Sequence, residues 1–285
     1  MERMFGTLEE FDYLECLDCG SVQLDQIPVD LSPYYSNSTY YSFQSLNKSS
    51  PLKKILKQIR LKFFLTTGIL SPIYGYWLRK LNPSFTASIA DIGCGNGQLI
   101  YELYASGFTK LHGFDPFLDN DHSVNPHVHL WKSSFEQSDL TFDLIMMHHA
   151  FEHMEDGESI LNSCKSKLNS GGKILIRTPV TNAEVWNEKR SLWVQLDAPR
   201  HLIIPSVEGF TSLCQRVGIK VDEILFDSDE FQFWGTSLYE KGYPLDKKLI
   251  RKNFSNMQIK EMHKKALQYN SEGVGDQVCF FLSKD

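Results

Sequence analysis

The sequence predicts an α/β protein with a mostly parallel sheet. The first observation behind this is a series of short apolar runs, each followed by polar or glycine residues. These runs lie at 89–92, 111–114, 128–131, 142–147 and 173–177, and two later ones lie at 220–226 and 277–283. The second observation is a glycine-rich turn directly after the first run, which is typical of a strand passing into a helix where an α/β sheet binds its ligand.

The glycine-rich turn indicates which kind of ligand binds. Gly93, Gly95 and Gly97 form a G-x-G-x-G pattern, whereas a dinucleotide fingerprint needs a small residue at the position that Gln98 occupies. Asp91 precedes the first glycine, and a carboxylate there would repel a pyrophosphate. It suits a ligand with an ammonium group and hydroxyls, and S-adenosylmethionine is such a ligand.

The strands that follow supply further candidate contacts. Asp115 ends the second strand, where a carboxylate can accept hydrogen bonds from both ribose hydroxyls. Residues after the third strand could flank an adenine ring. His148 and His149 follow the fourth strand, where cofactor and substrate are expected to meet.

These segments, taken in order, resemble the class I S-adenosylmethionine-dependent methyltransferases. The resemblance rests on 91–97, 114–115, 142–144, 151–153 and 171–173, and it covers about residues 86–227 and 277–283. It implies a Rossmann-like fold with seven strands, the last antiparallel, and S-adenosylmethionine as cofactor with S-adenosylhomocysteine as product. The predicted cofactor contacts are Asp91, Gly93, Cys94, Gly95, Gly97, Asp115, Pro116, Ser134, Phe135, His148 and His149.

The segment 197–202 narrows the resemblance to methyltransferases associated with sugars of bacterial surface polysaccharides or with other secondary metabolites. This implies a small-molecule acceptor that is methylated on a sugar hydroxyl. His201 is the predicted general base or substrate ligand, because a histidine near its ordinary pKa accepts a proton at neutral pH. The alternative is a histidine that only hydrogen-bonds a loop. The predicted substrate contacts are Arg200, Tyr40 and Trp193, and Arg200 could instead hold its loop together through Asp197.

Composition bears on partners and location. The 285 residues include 29 basic and 35 acidic ones, a net charge of -6, and no block of Lys and Arg marks a nucleic-acid interface. The polar, acidic start of the chain and its mostly scattered cysteines predict a cytoplasmic protein without a secretory signal. Residues 51–81 are predicted to be helical with a break at Ser71 and Pro72. The basic residues of 53–62 lie in the first part, which either touches a membrane surface or presents a solvated basic face.

The chain divides by sequence into an N-terminal segment, 1–50, a helical cover, 51–85, and the cofactor-binding domain, 86–285, with an insertion at 227–276 that includes a predicted helix at 246–269. Loops are predicted around His122 and around Trp186, and Gly171 and Gly172 are predicted to close the helix before the fifth strand. The resemblance implies that Glu152 and His153 help to pack the loop after the fourth strand.

Cys16 and Cys19 form one turn of the zinc-knuckle type, but a structural zinc site usually needs two such turns. The resembled subgroup includes enzymes with a two-knuckle ribbon, of which this turn resembles the second half. A remnant turn without metal is the favoured interpretation, and zinc binding stays open.

Other functions are compatible with parts of the pattern. The acceptor could be a quinone or another aromatic hydroxyl, or the protein could bind S-adenosylmethionine without catalysis. A nicotinamide-dependent oxidoreductase is a further alternative, against which Gln98 argues. The histidines at 148, 149 and 153 match no common metal motif by their spacing, so no metal is predicted there.

Overall fold

A computed structural model describes residues 1–35 and 45–284. Tyr40, a predicted substrate contact, lies outside these residues. The described residues form two compact units that alternate along the chain. Unit 1 comprises 1–35, 149–158 and 176–281, and unit 2 comprises 45–148, 159–175 and 282–284. The three sequence ranges proposed above stay predictions.

The described residues contain eleven strands and nine α-helices. The strands are β1 (Tyr13–Glu15), β2 (Val22–Leu24), β3 (Ser88–Ile92), β4 (Lys110–Phe114), β5 (His122–Asn125), β6 (Val128–Trp131), β7 (Phe142–His148), β8 (Leu168–Pro179), β9 (Ile203–Ile204), β10 (Ile219–Phe226) and β11 (Gln277–Lys284). The helices are α1 (Pro51–Thr67), α2 (Gly75–Leu81), α3 (Gln98–Ala105), α4 (Gly157–Lys167), α5 (Glu184–Lys189), α6 (Val207–Val217), α7 (Phe231–Glu240), α8 (Lys247–Asn253) and α9 (Asn256–Glu272).

The sheet of unit 2 is mostly parallel, as predicted. Its strand order is β8-β7-β3-β4-β6-β5, where β8 contributes its first part. β3 pairs in parallel with β4 and β7, and β4 pairs in parallel with β6. The central strand is almost wholly buried, with Ile89 and Ala90 at 0% exposure, as expected for a parallel strand covered on both faces.

Two predictions at the edges of this sheet are wrong. Residues 122–125 were expected in a loop, but they form β5, antiparallel to β6. Their polar, largely exposed side chains suit an edge strand, which carries little apolar signal. Gly171 and Gly172 were expected to close a helix, but β8 already begins at Leu168, before them.

Helix α1 ends where the sequence breaks its pattern. Ser50 caps its start, and Gly68 ends it in the left-handed conformation, with φ of 78°. The predicted break near Ser71 and Pro72 is therefore confirmed, and α2 follows from Gly75.

The basic residues of α1 are only partly solvated: Lys53, Arg60 and Lys62 are exposed, whereas two others contact α3. Lys57 forms an ion pair with Glu102, and Lys54 Nζ lies 4.6 Å from the ring centre of Tyr104 on α3. Five apolar side chains of α1 are instead 43–67% exposed: Leu52, Ile55, Leu56, Ile59 and Phe63. Contact of this face with a membrane surface stays a prediction. Within the described residues, the helices are too short or too polar to cross a membrane.

Unit 1 contains a small antiparallel sheet of order β1-β2-β9 and strands in the order β10-β11-β8, with the second part of β8. The knuckle-type turn connects β1 to β2: Gly20 N–H donates to Cys16 O at 2.8 Å. Cys19 Sγ donates to Ser21 Oγ at 3.2 Å, so the turn is packed by its own residues.

The insertion after β10 is helical and belongs to unit 1. One helix was predicted from 246 to 269, but Ser255 and Gln258 form a capping box that begins a new helix, so α8 and α9 are separate. The region around Trp186 was expected to be a loop and is helix α5. The indole of Trp186 packs with Trp193 and Tyr239 in the apolar core of unit 1.

Candidate functional site

The glycine-rich corner of unit 2 lies between β3 and α3, and its backbone defines its shape. Gly93, Gly95 and Gly97 have φ of 69°, 53° and 79°, in the left-handed region that other residues rarely adopt. A Cβ added to Gly97 would lie 2.7 Å from Leu130 Cδ1. Gly93 N–H donates to Phe114 O at 2.8 Å, which ties the turn to the end of β4.

Two carboxyl groups accompany this corner. Asp115 Oδ2 accepts the Gly95 N–H at 2.8 Å, and Oδ1 accepts the Phe117 N–H at 2.9 Å. Asp91 is 3% exposed, and burial together with the nearby Asp115 raises its pKa to about 8. A ligand with a positive charge would favour ionisation of both groups. The corner is therefore suited to a cationic, hydroxyl-bearing ligand.

A second polar group is buried in unit 1, and we call it the histidine–carboxylate cluster; its members are Glu152, His153, Asp197, Arg200 and His201. His201 Nδ1 lies 2.6 Å from Gln195 O, and His153 Nδ1 lies 2.8 Å from Arg200 O. A carbonyl oxygen only accepts hydrogen bonds, so each Nδ1 carries the hydrogen. Each Nε2 therefore has a free lone pair.

Glu152 is fully buried, and its two oxygens have different surroundings. Oε2 accepts the Thr178 hydroxyl at 2.9 Å. Oε1 lies 3.3 Å from His149 Nδ1 and 4.0 Å from His201 Nε2, yet it accepts no hydrogen bond from any described residue. Burial alone would raise the pKa of Glu152, but the surrounding histidines hold it at about 2. The cluster thus contains an ionised carboxylate with one unsatisfied oxygen.

The guanidinium of Arg200 is also fully buried, and its partners are anionic. It donates to both oxygens of Asp197, at 2.9 and 2.6 Å, and to Glu2 Oε1 at 3.0 Å. Burial and the neighbouring His153 lower the pKa of His201 to about 4, so that His201 is neutral at pH 7. The carboxylates of Glu2 and Asp197 therefore share one guanidinium, whereas Glu152 contacts His149 and His201 instead.

The family of the chain follows from a comparison of its sequence. Residues 65–224 match the family model described as a methyltransferase domain, which is more than half of the 285 residues. The chain belongs to this methyltransferase family. The predicted class I fold and the predicted cofactor, S-adenosylmethionine, are thereby confirmed.

Curated relatives of this methyltransferase are named tRNA U34 carboxymethyltransferase. The protein of that name from Campylobacter lari is 26% identical over 180 residues, covering 59% of this chain and 62% of its own length. The one from Campylobacter curvus is 25% identical over 150 residues, covering 48% and 50%. The chain thus spans only 50–62% of the length of these two relatives.

Solved structures with a similar fold are more distant. A cyclopropane synthase of Mycobacterium tuberculosis is 17% identical, with a TM-score of 0.48 over 73% of this chain and 81% of that one. A phosphoethanolamine N-methyltransferase of Haemonchus contortus is 17% identical, with a TM-score of 0.48 over 92% and 62%. Similarity at this level assigns no activity.

The other predicted cofactor contacts occupy varied environments. Cys94 is partly buried, and burial raises the pKa of its thiol. Ser134 is half-buried and Pro116 is exposed. Phe135 is 1% exposed and packs edge-on against Phe114, so its ring belongs to the core.

The two predicted histidine contacts fall in different units. His148 of unit 2 packs on Trp77, with ring centres 4.7 Å apart. His149 belongs to unit 1, and its Nε2 lies 2.8 Å from Arg177 Nη1. The cofactor roles of both residues stay predictions.

Two of the predicted substrate contacts, Arg200 and Trp193, are buried, and their substrate roles stay predictions. Every recorded partner of Arg200 lies within unit 1, and its bonds to Asp197 support the alternative interpretation, in which Arg200 holds its loop. Trp193 is 1% exposed, and its Nε1–H donates to Asp276 Oδ2 at 3.3 Å. A large indole fully enclosed in this way serves the core.

His201 hydrogen-bonds a loop, and its pKa of about 4 lies below the ordinary value on which the general-base prediction was based, so its catalytic role stays a prediction. Its Nδ1 hydrogen-bonds the loop, and its Nε2 lies 3.9 Å from Asp197 Oδ2 within the cluster. Sequence reasoning missed Glu152 and His153 as partners of His201 and assigned them to loop packing. A signal was available, because these residues and His201 each come after a predicted strand, where functional side chains of α/β proteins concentrate.

Proposed function

We propose that this methyltransferase transfers the methyl group of S-adenosylmethionine to a hydroxyl oxygen of a small-molecule acceptor, a sugar of a surface-polysaccharide pathway. The observation that carries the oxygen acceptor is the lone pair on His201 Nε2, in a ring whose other nitrogen is fixed by Gln195 O. A neutral imidazole of this tautomer can accept the hydroxyl proton. The carboxylates of Asp197 and Glu152, 3.9 and 4.0 Å from Nε2, would stabilise the imidazolium that forms.

The transfer then balances as a displacement at carbon. The acceptor oxygen gives its proton to His201 Nε2 and forms a bond to the methyl carbon. The bond from that carbon to sulfur breaks, and its electron pair stays on sulfur, which yields S-adenosylhomocysteine. Because the sulfonium is already a good leaving group, the protein has mainly to align the acceptor and accept one proton.

The corner of unit 2 supports the cofactor half of this proposal. Asp115 is fixed by two backbone N–H groups at the end of β4, where a carboxylate can accept hydrogen bonds from ribose hydroxyls. Asp91 offers a carboxylate to the ammonium group of the cofactor. The nicotinamide-dependent alternative is abandoned, because the family is one of methyltransferases.

A tRNA acceptor is the second candidate, and the names of the curated relatives favour it. The net charge of -6 argues for a small molecule, since RNA binding relies on basic surfaces. In α1, moreover, Lys57 is paired with Glu102 and Lys54 covers a tyrosine ring.

Calorimetric titration with S-adenosylmethionine and S-adenosylhomocysteine tests the cofactor site. We expect micromolar affinity for both, and a loss of at least about tenfold in Asp115→Ala, because a charge-assisted hydrogen bond contributes about 1.5–3 kcal/mol. Asp119→Ala is the matched control, since Asp119 is exposed in the same loop. Failure of the folded protein to bind either ligand would overturn the assignment.

Transfer of a labelled methyl group tests the acceptor. Nucleotide-linked sugars, bulk tRNA and a phenolic quinone precursor are offered separately to the same protein. Label in a sugar that decreases in His201→Gln supports the proposal. Label in tRNA or in the phenol replaces the sugar, and cofactor binding without transfer to any acceptor favours the non-catalytic alternative.

A further inference from the structure

We propose that the histidine–carboxylate cluster binds a divalent transition-metal ion through one ring nitrogen each of His153 and His201 and a carboxylate oxygen of Glu152. One ligand atom from each of these residues lies within 4.8 Å of the other two. Binding a single ion at about 2.0–2.2 Å would require shifts of roughly 1 Å or less. Two imidazoles and one carboxylate suit Zn²⁺, Mn²⁺ or Fe²⁺, whereas Ca²⁺ and Mg²⁺ prefer oxygen ligands alone.

The outer hydrogen bonds of both histidines match those of metal ligands. A metal-binding imidazole normally donates its other N–H to a carbonyl or carboxylate, which fixes the tautomer and the ring orientation. His201 donates to Gln195 O and His153 donates to Arg200 O. In both rings Nδ1 is thus occupied by a backbone carbonyl, which leaves Nε2 as the nitrogen that can reach an ion.

The unsatisfied oxygen of Glu152 is an independent indication. A buried carboxylate oxygen without a partner is costly, and such atoms are rare in folded proteins. Oε1 accepts no well-aligned hydrogen bond from the described residues, and its nearest nitrogen is His149 Nδ1 at 3.3 Å, while Thr178 fixes the other oxygen of the same group. A bound cation would supply the missing partner.

Charge and access agree with a cation at this place. Glu2, Asp197 and Glu152 are all largely or fully buried, and Arg200 is the guanidinium that pairs with two of them. No lysine or arginine is recorded in an ion pair with Glu152 in the described part of the chain. His153 is only half-buried, which leaves a side from which an ion can enter.

The role of the ion rests on the proposed function. Three protein ligands leave at least one coordination position for a water or an acceptor hydroxyl. A hydroxyl bound to such an ion has a much lower pKa and can lose its proton to water. With the ion bound, His201 Nε2 would be a metal ligand and could not accept the proton, so the proton of the bound hydroxyl would pass to water instead. The displacement at carbon, in which the methyl–sulfur bond breaks and its electron pair stays on sulfur, would be unchanged.

Titration of the full chain with Co²⁺, after chelator treatment and desalting, tests the site. We expect one Co²⁺ per chain, visible d–d absorption, no cobalt–thiolate charge-transfer band, and displacement by Zn²⁺. His153→Gln should weaken binding by at least about tenfold. His127→Gln, a change at an exposed histidine of unit 2, and Cys16→Ser/Cys19→Ser should leave the affinity unchanged.

The absorption spectrum of the Co²⁺-loaded native protein tests the inference even if a variant fails to fold, because it shows whether thiolates or imidazoles bind the ion. A thiolate band that disappears in Cys16→Ser/Cys19→Ser would assign the metal to the knuckle-type turn and overturn the inference. Equal Co²⁺ affinities of His153→Gln and His127→Gln would also overturn the inference. So would a native protein that binds no Co²⁺. The assay contains neither cofactor nor acceptor, so its outcome is separate from that of the methyl-transfer assay.

Discussion

The glycine-rich corner of unit 2 and the histidine–carboxylate cluster of unit 1 are built on opposite principles. The corner depends on backbone conformation within a few consecutive residues, 91–97, and on one carboxylate, Asp115, at the end of the next strand. The cluster depends on side chains from separate stretches of the chain, near residues 2, 150 and 200. A local pattern can therefore encode the first, whereas the second exists only once the chain is folded.

The two regions also handle buried charge differently. In the corner, burial raises the pKa of Asp91 to about 8, so the carboxyl is mostly neutral without a ligand. In the cluster, Asp197 and Glu2 both pair with Arg200, whose positive charge lowers the pKa of Asp197 against the effect of burial. The carboxyl of the corner is therefore available to ionise when a cationic ligand binds, whereas two carboxylates near the cluster are already paired within the protein and stabilise the fold.

The largest expected effect comes from breaking the ion pairs of the cluster. Arg200→Met should lower the free energy of unfolding by about 3–5 kcal/mol, because it leaves two buried carboxylates without their cation. Urea denaturation followed by circular dichroism measures this loss. Arg216→Met is the control: Arg216 lies 3.5 Å from Glu158 with both side chains more than half exposed, and its loss should be about 0.5 kcal/mol or less. Similar losses in both variants would show that the cluster contributes little to the fold.

A smaller effect is expected at Asp91, and its sign depends on pH. The folded pKa of about 8 lies above the ordinary value of 3.8, so the folded state binds the proton more tightly between these values. Stability of the ligand-free protein therefore falls as the pH rises from about 4 to about 8. Asp91→Asn removes this loss and should be more stable than the native protein by about 2–4 kcal/mol at pH 8, with little difference at pH 4.

Urea denaturation at several pH values checks this expectation, and calorimetry on the same variant should show weakened binding of S-adenosylmethionine. Asp119→Asn, at an exposed position, should follow the native protein at every pH. A difference between Asp91→Asn and the native protein that does not vary with pH would contradict the assigned cause.

The smallest expected effect separates backbone strain from crowding in the corner. Gly97 and Gly171 have similar φ of 79° and 73°, but a Cβ at Gly97 would meet Leu130 at 2.7 Å, whereas one at Gly171 meets nothing within 4 Å. Gly171→Ala should cost about 1–2 kcal/mol from the left-handed conformation alone. Gly97→Ala should cost about 1–2 kcal/mol more. Thermal denaturation of the two variants gives the difference, and equal costs would mean that Leu130 moves aside freely.

Most of the fold could be predicted because its signals are local. The seven predicted strands are present, since buried parallel strands appear as apolar runs of adequate length. β5 was missed because its residues, His122 to Asn125, are polar and pair only at an edge. The separation of α8 from α9 was encoded by Ser255 and Gln258, a capping signal inside a stretch that otherwise favours helix.

The candidate site was predicted unevenly for the same reason. The motif from Asp91 to Gly97 is contiguous, so its conformation follows from its glycines. Which side chains surround His201 is decided by loops at 149–153 and 195–201, whose paths depend on tertiary hydrogen bonds such as that from Leu202 N–H to Glu152 O at 2.7 Å. No spacing rule in the sequence relates Glu152 to His201, and Trp193 could be assigned to the core only after its burial was known.

The position of Cys94 gives the corner a reporter of its own. Its sulfur lies where a side chain at Gly113 would be, since a Cβ added there would come within 2.6 Å of it. A partly buried thiol whose pKa is raised by burial reacts slowly with alkylating reagents. Cys16 is exposed, and Cys164, Cys214 and Cys279 are buried. The rate at which Cys94 is alkylated, relative to these thiols, therefore reports how often the turn between β3 and α3 opens, without any label being introduced.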